Sequence, residues 1–375
     1  MIRIAFWQRI VSPHMGHLAR ALAYRGHDVT YVAEQAMSPD RIVMGWNVPD
    51  IAPARVIYAS CEHTMLGILQ SMPGETIHLT QGLRANGGIG SVQKVLAKEG
   101  SQHWVLLETV DDMGIKGAAK RIAYRWLLRE FLKSGDGILA IGEQMPRWIG
   151  GLGVPHAKSV PFAYFLSEEH TTDKEKKQDD ATFNIIFVGQ LIERKRVQDV
   201  LLALARHASD WSFRLTVVGD GPEGDALRAL GERLLPGRID WLGMRLIEEV
   251  PQLIEQSDLL ILPSRHDGWG AVVSEALILG TPAVCSDRCG AAGVVRASKV
   301  GGVFPVGHVE ALSALVLTAL SEGRVTAERR AIIARWSKAL GAERGAEYLE
   351  TVLQAASHDR PIPPAPWLEA MERKL

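Results

Sequence analysis

The stretch "SDLLILPSRHDGWGAVVSEALILGTP", residues 257–282, decides the reading of this chain. "DLLILP" (258–263) is an apolar run ended by proline, which reads as a buried strand. "HDGWG" then turns the chain, and "AVVSEALILG" (271–280) continues as a helix. Glycines at 268 and 270 let backbone amides come close to a ligand. The helix that follows points its unpaired N–H groups to the same place, which suits a phosphate or an electronegative sugar oxygen. Two acids stand in the stretch, Asp267 and Glu275. A carboxylate one turn into the helix accepts two hydrogen bonds, as the vicinal hydroxyls of a ribose offer them. A second account stands beside this one, with Asp267 as a helix cap and Glu275 as a partner of the helix dipole.

The same alternation extends in both directions. Upstream, "FNIIFVG" (183–189), "FRLTVVGDG" (213–221) and "RIDWLG" (238–243) read as strands separated by helices at 197–208, 223–234 and 248–257. "PAVCSD" (282–287) continues the series. An earlier series begins with "IRIAFW" (2–7), a helix ended near Gly26 and "DVTYVA" (28–33), a βαβ unit in about 30 residues. It continues through 55–60, 76–79, 104–109 and 137–142. Between the two series lies "SEEHTTDKEKKQDDAT" (167–182), charged and without apolar period, which reads as a linker. The expected fold is α/β, with two Rossmann-like, doubly wound domains facing across a cleft. The expected boundaries are 1–166 for the first domain, 167–182 for the linker and 183–358 for the second domain. A Pro-rich segment with a short helix, 359–375, returns toward the first domain. Ligands of such sheets gather beyond the carboxyl ends of the strands, so the residues just after each strand are the candidates.

At 375 residues the chain is long enough for two cores. Its net charge of −1 argues against a general nucleic-acid binder. The charge is uneven, with 17 Lys and Arg against 13 Asp and Glu in residues 1–165. That balance fits an anionic partner for the first domain, or chance. The three cysteines, Cys61, Cys285 and Cys289, are too few for a disulfide framework and fit a reducing compartment. Cys285 and Cys289 lack further ligands at metal spacing and read as small packing residues. "MIRIAFW" has no signal-peptide pattern, and no apolar run of about 18 residues is present. The expected location is cytoplasmic.

Three more strand ends carry chemistry. "GQLIERKR" places Arg194, Lys195 and Arg196 after strand 183–189, where cations neutralise a diphosphate or form a solvated face. In "VVGDGPEG", Gly219 and Gly221 bracket a turn. In the first domain, His14 and His17 follow the first strand and offer imidazole donors to a phosphate. Arg84 follows the strand at 76–79 and is a candidate acceptor contact. Glu108 ends the strand at 104–109. The segment 116–133 spaces Arg121, Arg125, Arg129 and Lys133 four apart beside Ile122, Trp126, Leu127 and Phe131. Such a helix lies on an anionic membrane surface or packs with a solvated basic face.

The order "GQLIERK", "VVGDGPE", "WLG", "DGWGAVVSEAL" resembles the second domain of retaining glycosyltransferases of the GT-B fold, family 4, the group 1 glycosyltransferases. The likeness is close over about residues 183–305 and looser elsewhere. It implies a hexosyltransferase-type enzyme that moves a sugar from a nucleotide-sugar donor to a glycan or lipid-linked acceptor, in bacterial surface polysaccharide or lipopolysaccharide synthesis. It implies that Lys195, with Arg194, binds the donor diphosphate and that Glu275 holds the ribose. Asp267, with Gly268, Trp269 and Gly270, would grip the transferred sugar, while Gly219, Met244 and Arg245 complete the donor side. The family has a glycine-rich loop after the first strand, of which Gly16 keeps one glycine. Glu108 stands near the place of a histidine that meets the donor sugar in many relatives. No metal or other cofactor is implied, because cations and helix N-termini stabilise the leaving diphosphate. The acceptor would bind residues 1–165, with peripheral contact to the inner face of the membrane through 116–133. The chain departs from the family pattern at Asp267 for Glu, Gln190 for Arg, Arg196 for Gly and Trp269 for Phe. These departures keep two rivals in view, a non-catalytic nucleotide-sugar-binding protein and a GT-B fold epimerase or phosphorylase. A dinucleotide dehydrogenase is disfavoured, since "GHLARAL" lacks Gly-x-Gly-x-x-Gly.

Overall fold

The computed structural model describes residues 1–84, 86–168 and 182–372. The charged stretch expected as a linker therefore lies almost wholly outside the described residues. The chain divides into two compact units. Unit one comprises residues 1–42, 47–167 and 340–366; unit two comprises 43–46, 168–339 and 367–375.

Unit one is a seven-stranded parallel sheet in the order β3-β2-β1-β4-β5-β6-β7. Its chain runs β1 (Arg3–Ile10), α1 (Pro13–Tyr24), β2 (Asp28–Gln35), α2 (Pro39–Val43), β3 (Arg55–Tyr58) and α3 (Glu62–Ser71). It continues through β4 (Ile77–Gln81), α4 (Ile89–Glu99), β5 (His103–Glu108), α5 (Gly114–Phe131), β6 (Gly137–Ile141), α6 (Met145–Gly150) and β7 (Ser159–Phe162). Alternate strand residues bury one face. Ala5, Trp7 and Val32 pack with Met65, Leu69, Val92 and Leu96, while Val105, Leu107, Ile138 and Ala140 pack with Leu128, Phe131 and Ile149. Ser12 caps α1 through Met15 N at 3.3 Å, with Pro13 at the first helical position.

Unit two is a six-stranded parallel sheet in the order β10-β9-β8-β11-β12-β13. Its elements are β8 (Phe183–Val188), α7 (Val197–Ala205), β9 (Phe213–Val218), α8 (Gly224–Leu234), β10 (Ile239–Gly243), α9 (Val250–Glu255) and β11 (Leu259–Leu262). Then come α10 (Ala271–Ile278), β12 (Ala283–Ser286), α11 (Ala292–Ser298), β13 (Gly301–Phe304), α12 (Val309–Glu322) and α13 (Ala327–Ser337). The buried carboxylate of Asp258 fixes the start of β11. It accepts from Asn184 N at 2.9 Å, Val325 N at 3.1 Å and Arg324 Nε at 3.2 Å.

The last helices are α14 (Ala342–Ser357) and α15 (Pro366–Glu372). Residues 340–358 had been expected in the second domain, yet the structure assigns 340–366 to unit one. The physical reason is α14, which packs against α1. Arg25 reaches Glu350 and Glu343 at 2.6 Å each, and His27 meets Glu350 at 2.7 Å. The Arg25 guanidinium is held above its usual range by hydrogen bonds to Glu350 and Glu343.

In each sheet the strand order reverses once, between β1 and β4 and between β8 and β11. These are the topological switch points at which ligands of open α/β sheets bind.

Candidate active site

In unit two, the turns after β8, β9 and β11 gather at the switch point. The first two interlock through glycine. A Cβ on Gly219 would stand 2.0 Å from Gly189 O, and one on Gly221 2.5 Å from Leu191 O. Leu191 N donates to Asp220 O at 2.9 Å and Glu223 N to Leu191 O at 2.9 Å. The glycines of "VGDGP" thus let two loops cross.

The turn after β11 is braced by residues 288–291. Asp267 N donates to Arg288 O at 3.1 Å, Gly290 N to Asp267 O at 3.1 Å, and Ala291 N to Trp269 O at 2.7 Å. A Cβ on Gly290 would lie 2.2 Å from Gly268 O. Gly270 enters α10 at φ 87°, beside Cys289. Trp269 is buried and donates Nε1 to Ser274 Oγ at 3.1 Å, so it anchors the turn. Among the described residues, the amides of Gly268, Trp269 and Gly270 make no backbone hydrogen bond. Three donors therefore stand at the N-terminus of α10.

Asp267 meets the chain end of β8 directly. Lys195 Nζ donates to its Oδ2 at 2.5 Å, and Ser264 Oγ to the same oxygen at 3.3 Å. Its Oδ1 accepts nothing among the described residues. Burial pushes the Asp267 carboxyl up, but Lys195, through charge and hydrogen bond, and Arg194, through charge, hold it below its usual value. Arg194 donates to His266 O at 2.6 Å and lies 3.9 Å from Asp267. Arg196 departs from the expected trio of cations. It takes the left-handed conformation, φ 51°, and binds Asp199 at 2.7 and 3.1 Å, which turns its charge to the start of α7. Cys285 and Cys289 are buried. No group of three His, Cys, Asp or Glu among the described residues is placed to hold a metal.

Glu275 sits on α10, half-buried, and its carboxylate has no hydrogen-bond partner among the described residues. Burial pushes it up to about 7. It is therefore not a paired surface acid, and Asp267 does not cap α10, whose N-cap is Gly270. Met244 and Arg245 lie just after β10, Arg245 exposed, where Ile247 N donates to Gly45 O at 3.1 Å.

In unit one, a cavity of about 320 Å³ opens at the ends of β1, β4 and β5. Arg84 and Glu108 line it together with Gln8, Lys120, Tyr124 and Tyr164. Tyr164 donates its hydroxyl to Glu108 Oε1 and stacks on His14 at 4.8 Å. His14, Gly16 and His17 are helical, not loop, residues. Gly16 is buried, and a Cβ there would press Ile51 Cγ2 at 2.8 Å, so its smallness serves packing. His17 accepts from Ser167 N at 3.3 Å. Gln8, Lys120, Tyr124 and Tyr164 were not anticipated. Gln8 left one signal, a polar residue in an otherwise apolar strand.

The α5 helix is packed through Leu128 and Phe131 only in part. Ile115, Ile122 and Trp126 are 92%, 75% and 64% exposed, beside exposed Lys116, Arg125 and Arg129. Among the described residues no helix is long and apolar enough to cross a membrane.

Two parallel sheets with strand-end loops of this kind define a GT-B architecture. The solved lipopolysaccharide outer core galactosyltransferase WaaB, in its apo form, superposes with a TM-score of 0.66 at 16% identity, over 96% of this chain and 99% of that one. Anabaena Alr3699/HepE, solved in complex with UDP, gives 0.72 at 15% identity, over 94% and 100%. Residues 168–338 match the family described as Glycosyl transferases group 1. The lipopolysaccharide 1,6-galactosyltransferase of Escherichia coli K12 is 28% identical over 187 residues, 48% of this chain and 51% of that protein. The chain spans about half or less of the first curated relatives it matches.

Proposed function

We propose that the chain is a retaining, hexosyltransferase-type glycosyltransferase that uses a nucleotide-sugar donor. The observation that carries this reading is Glu275, a half-buried carboxylate on the helix that follows the amides of Gly268 to Gly270, all without a partner among the described residues. A ribose diol would donate both hydroxyls to it and restore its ionised form. The diphosphate would take the amides of Gly268 to Gly270 with Arg194 and the remaining protons of Lys195. Asp267 Oδ1 is left for a hydroxyl of the transferred sugar. These groups supply the positive charge that a leaving diphosphate needs, so the reading includes no metal or other cofactor.

In the transfer step the bond between the anomeric carbon and the diphosphate oxygen breaks. A bond to the acceptor oxygen forms on the same face, and the acceptor proton passes to the diphosphate. This front-face course follows the family resemblance. A glycan or lipid-linked acceptor binds unit one. Relatives named for lipopolysaccharide galactosyl transfer support a surface polysaccharide or lipopolysaccharide product.

Thermal unfolding with UDP-, GDP-, ADP- and dTDP-sugars tests the reading. One nucleotide should raise the midpoint of the wild type by mass action, and Glu275→Ala should lose at least tenfold in affinity. No stabilisation by any nucleotide would sink it. The exposed Trp126, Ile122 and basic residues of α5 further support a cytoplasmic protein resting on the membrane's inner face. Flotation with vesicles containing phosphatidylglycerol should carry the wild type but not Trp126→Ala with Arg125→Glu. Equal flotation of both would remove that part.

A further inference from the structure

The cavity of unit one holds more polar machinery than packing requires. Gln8 is 4% exposed on its wall, and its amide Nε2 is buried with no hydrogen-bond partner among the described residues. Leaving such a group unpaired is costly, so buried amides are normally satisfied. Arg84, on the same wall, makes no hydrogen bond or ion pair among the described residues. Lys120 lines the cavity as well, and Nζ meets only a neutral group, the carbonyl of Asp111, at 2.7 Å. The lining thus carries two cations, Arg84 and Lys120, against one carboxylate. On the acidic side stands Glu108, which already takes the hydroxyl of Tyr164.

We propose that this cavity binds a small acceptor unit that carries an anionic group, a carboxylate or a phosphate, next to the hydroxyl that is glycosylated. Calling the ligand an acceptor rests on the transferase reading; the anionic preference rests on the cavity alone. Arg84 and Lys120 hold the anion. Gln8 supplies its unspent amide to a ligand oxygen, and Glu108 with Tyr164 takes up a ligand hydroxyl. Size fits one unit of this kind. At about 320 Å³ the cavity lies at the lower end of small-molecule sites, enough for one sugar ring or a hydroxy acid and too small for an oligosaccharide. Tyr124 gives the wall an aromatic side. Burial keeps its phenol above the usual value, opposed by Arg84 and reinforced by Glu108, so it stays a neutral donor.

The test uses the full chain without nucleotide. D-Glucuronate, D-glucose 6-phosphate and D-glucose are titrated by ligand-observed NMR. At least one anionic probe should bind the wild type tenfold or more tightly than glucose, and the stronger of the two names the anion. Arg84→Gln should abolish that preference while leaving the weak binding of glucose within twofold. Lys120→Met should lower it in the same direction, so the result does not depend on one variant. Equal binding of charged and neutral probes would overturn the proposal, as would no binding, or an unchanged preference in both variants. The nucleotide titration of the wild type is a separate arm. Anionic probes that bind while no nucleotide does would leave the cavity assignment standing and remove the transferase reading; the converse would remove only the cavity.

Discussion

The two units place their sites at equivalent points of their sheets and build them from opposite materials. In unit two the ligand groups are largely backbone, three amides without a backbone partner among the described residues, in a turn braced by Gly290. In unit one they are side chains that line a cavity from several strands and from α5. Backbone sites tolerate little change in the loops that shape them. Side-chain sites accept exchange of the lining while the frame stays fixed, which suits variation of the ligand.

A first way to break this contrast is a matched pair of alanines. Gly219→Ala would drive a Cβ to 2.0 Å from a backbone oxygen at φ 129°. It should cost about 3 kcal/mol or more and abolish nucleotide binding. Gly16→Ala meets side chains alone, Ile51 Cγ2 at 2.8 Å and Pro49 Cγ at 3.2 Å. It should cost about 1 kcal/mol, because Ile51 can move. Urea unfolding of both variants reads the difference; equal losses would erase the distinction.

Acidity sharpens it further, with smaller effects. Unit one buries two neutral imidazoles. Burial pushes His78 down to about 4, and burial with the charge of His78 pushes His103 down to about 3. The neutral forms are used, since Trp7 donates to His78 Nδ1 at 3.1 Å and Thr80 meets His103 at 2.7 Å. A depressed histidine contributes stability that is present above about 6.5 and lost as pH falls toward 4 and 3. Glu275 of unit two is raised, so its contribution is full below about 4.5 and lost as pH rises through about 7. Each full shift is worth on the order of 3–5 kcal/mol, of which moderate acid or base removes a part. Hydrogen exchange at pH 4.5 and 8 should therefore loosen unit one in acid and unit two mildly in base. Glu275→Gln should remove the second effect alone. A shared trend in both units would contradict the assignment.

Legibility followed the same divide. The strand–turn–helix at 257–282 and the glycines at 219 and 221 could be read because their chemistry is local in sequence. The pairing of Lys195 with Asp267 joins residues 72 apart, and nothing in either segment announced it. The cavity of unit one draws Gln8, Arg84, Glu108, Lys120 and Tyr164 from different segments, so no short pattern contains it. Arg84 and Glu108 were found only as strand-end residues. The placement of α14 was missed for a simpler reason. An amphipathic helix shows which face it buries, not which sheet receives it.

That helix has a consequence for how the molecule is made. Residues 342–357 complete the layer over α1, so the sheet of unit one waits for a segment translated after all the strands of unit two. Most of unit two is one uninterrupted stretch, 168–339, which emerges before that segment. The sheet whose strands are translated earlier is therefore the one whose covering layer arrives after the other sheet's strands.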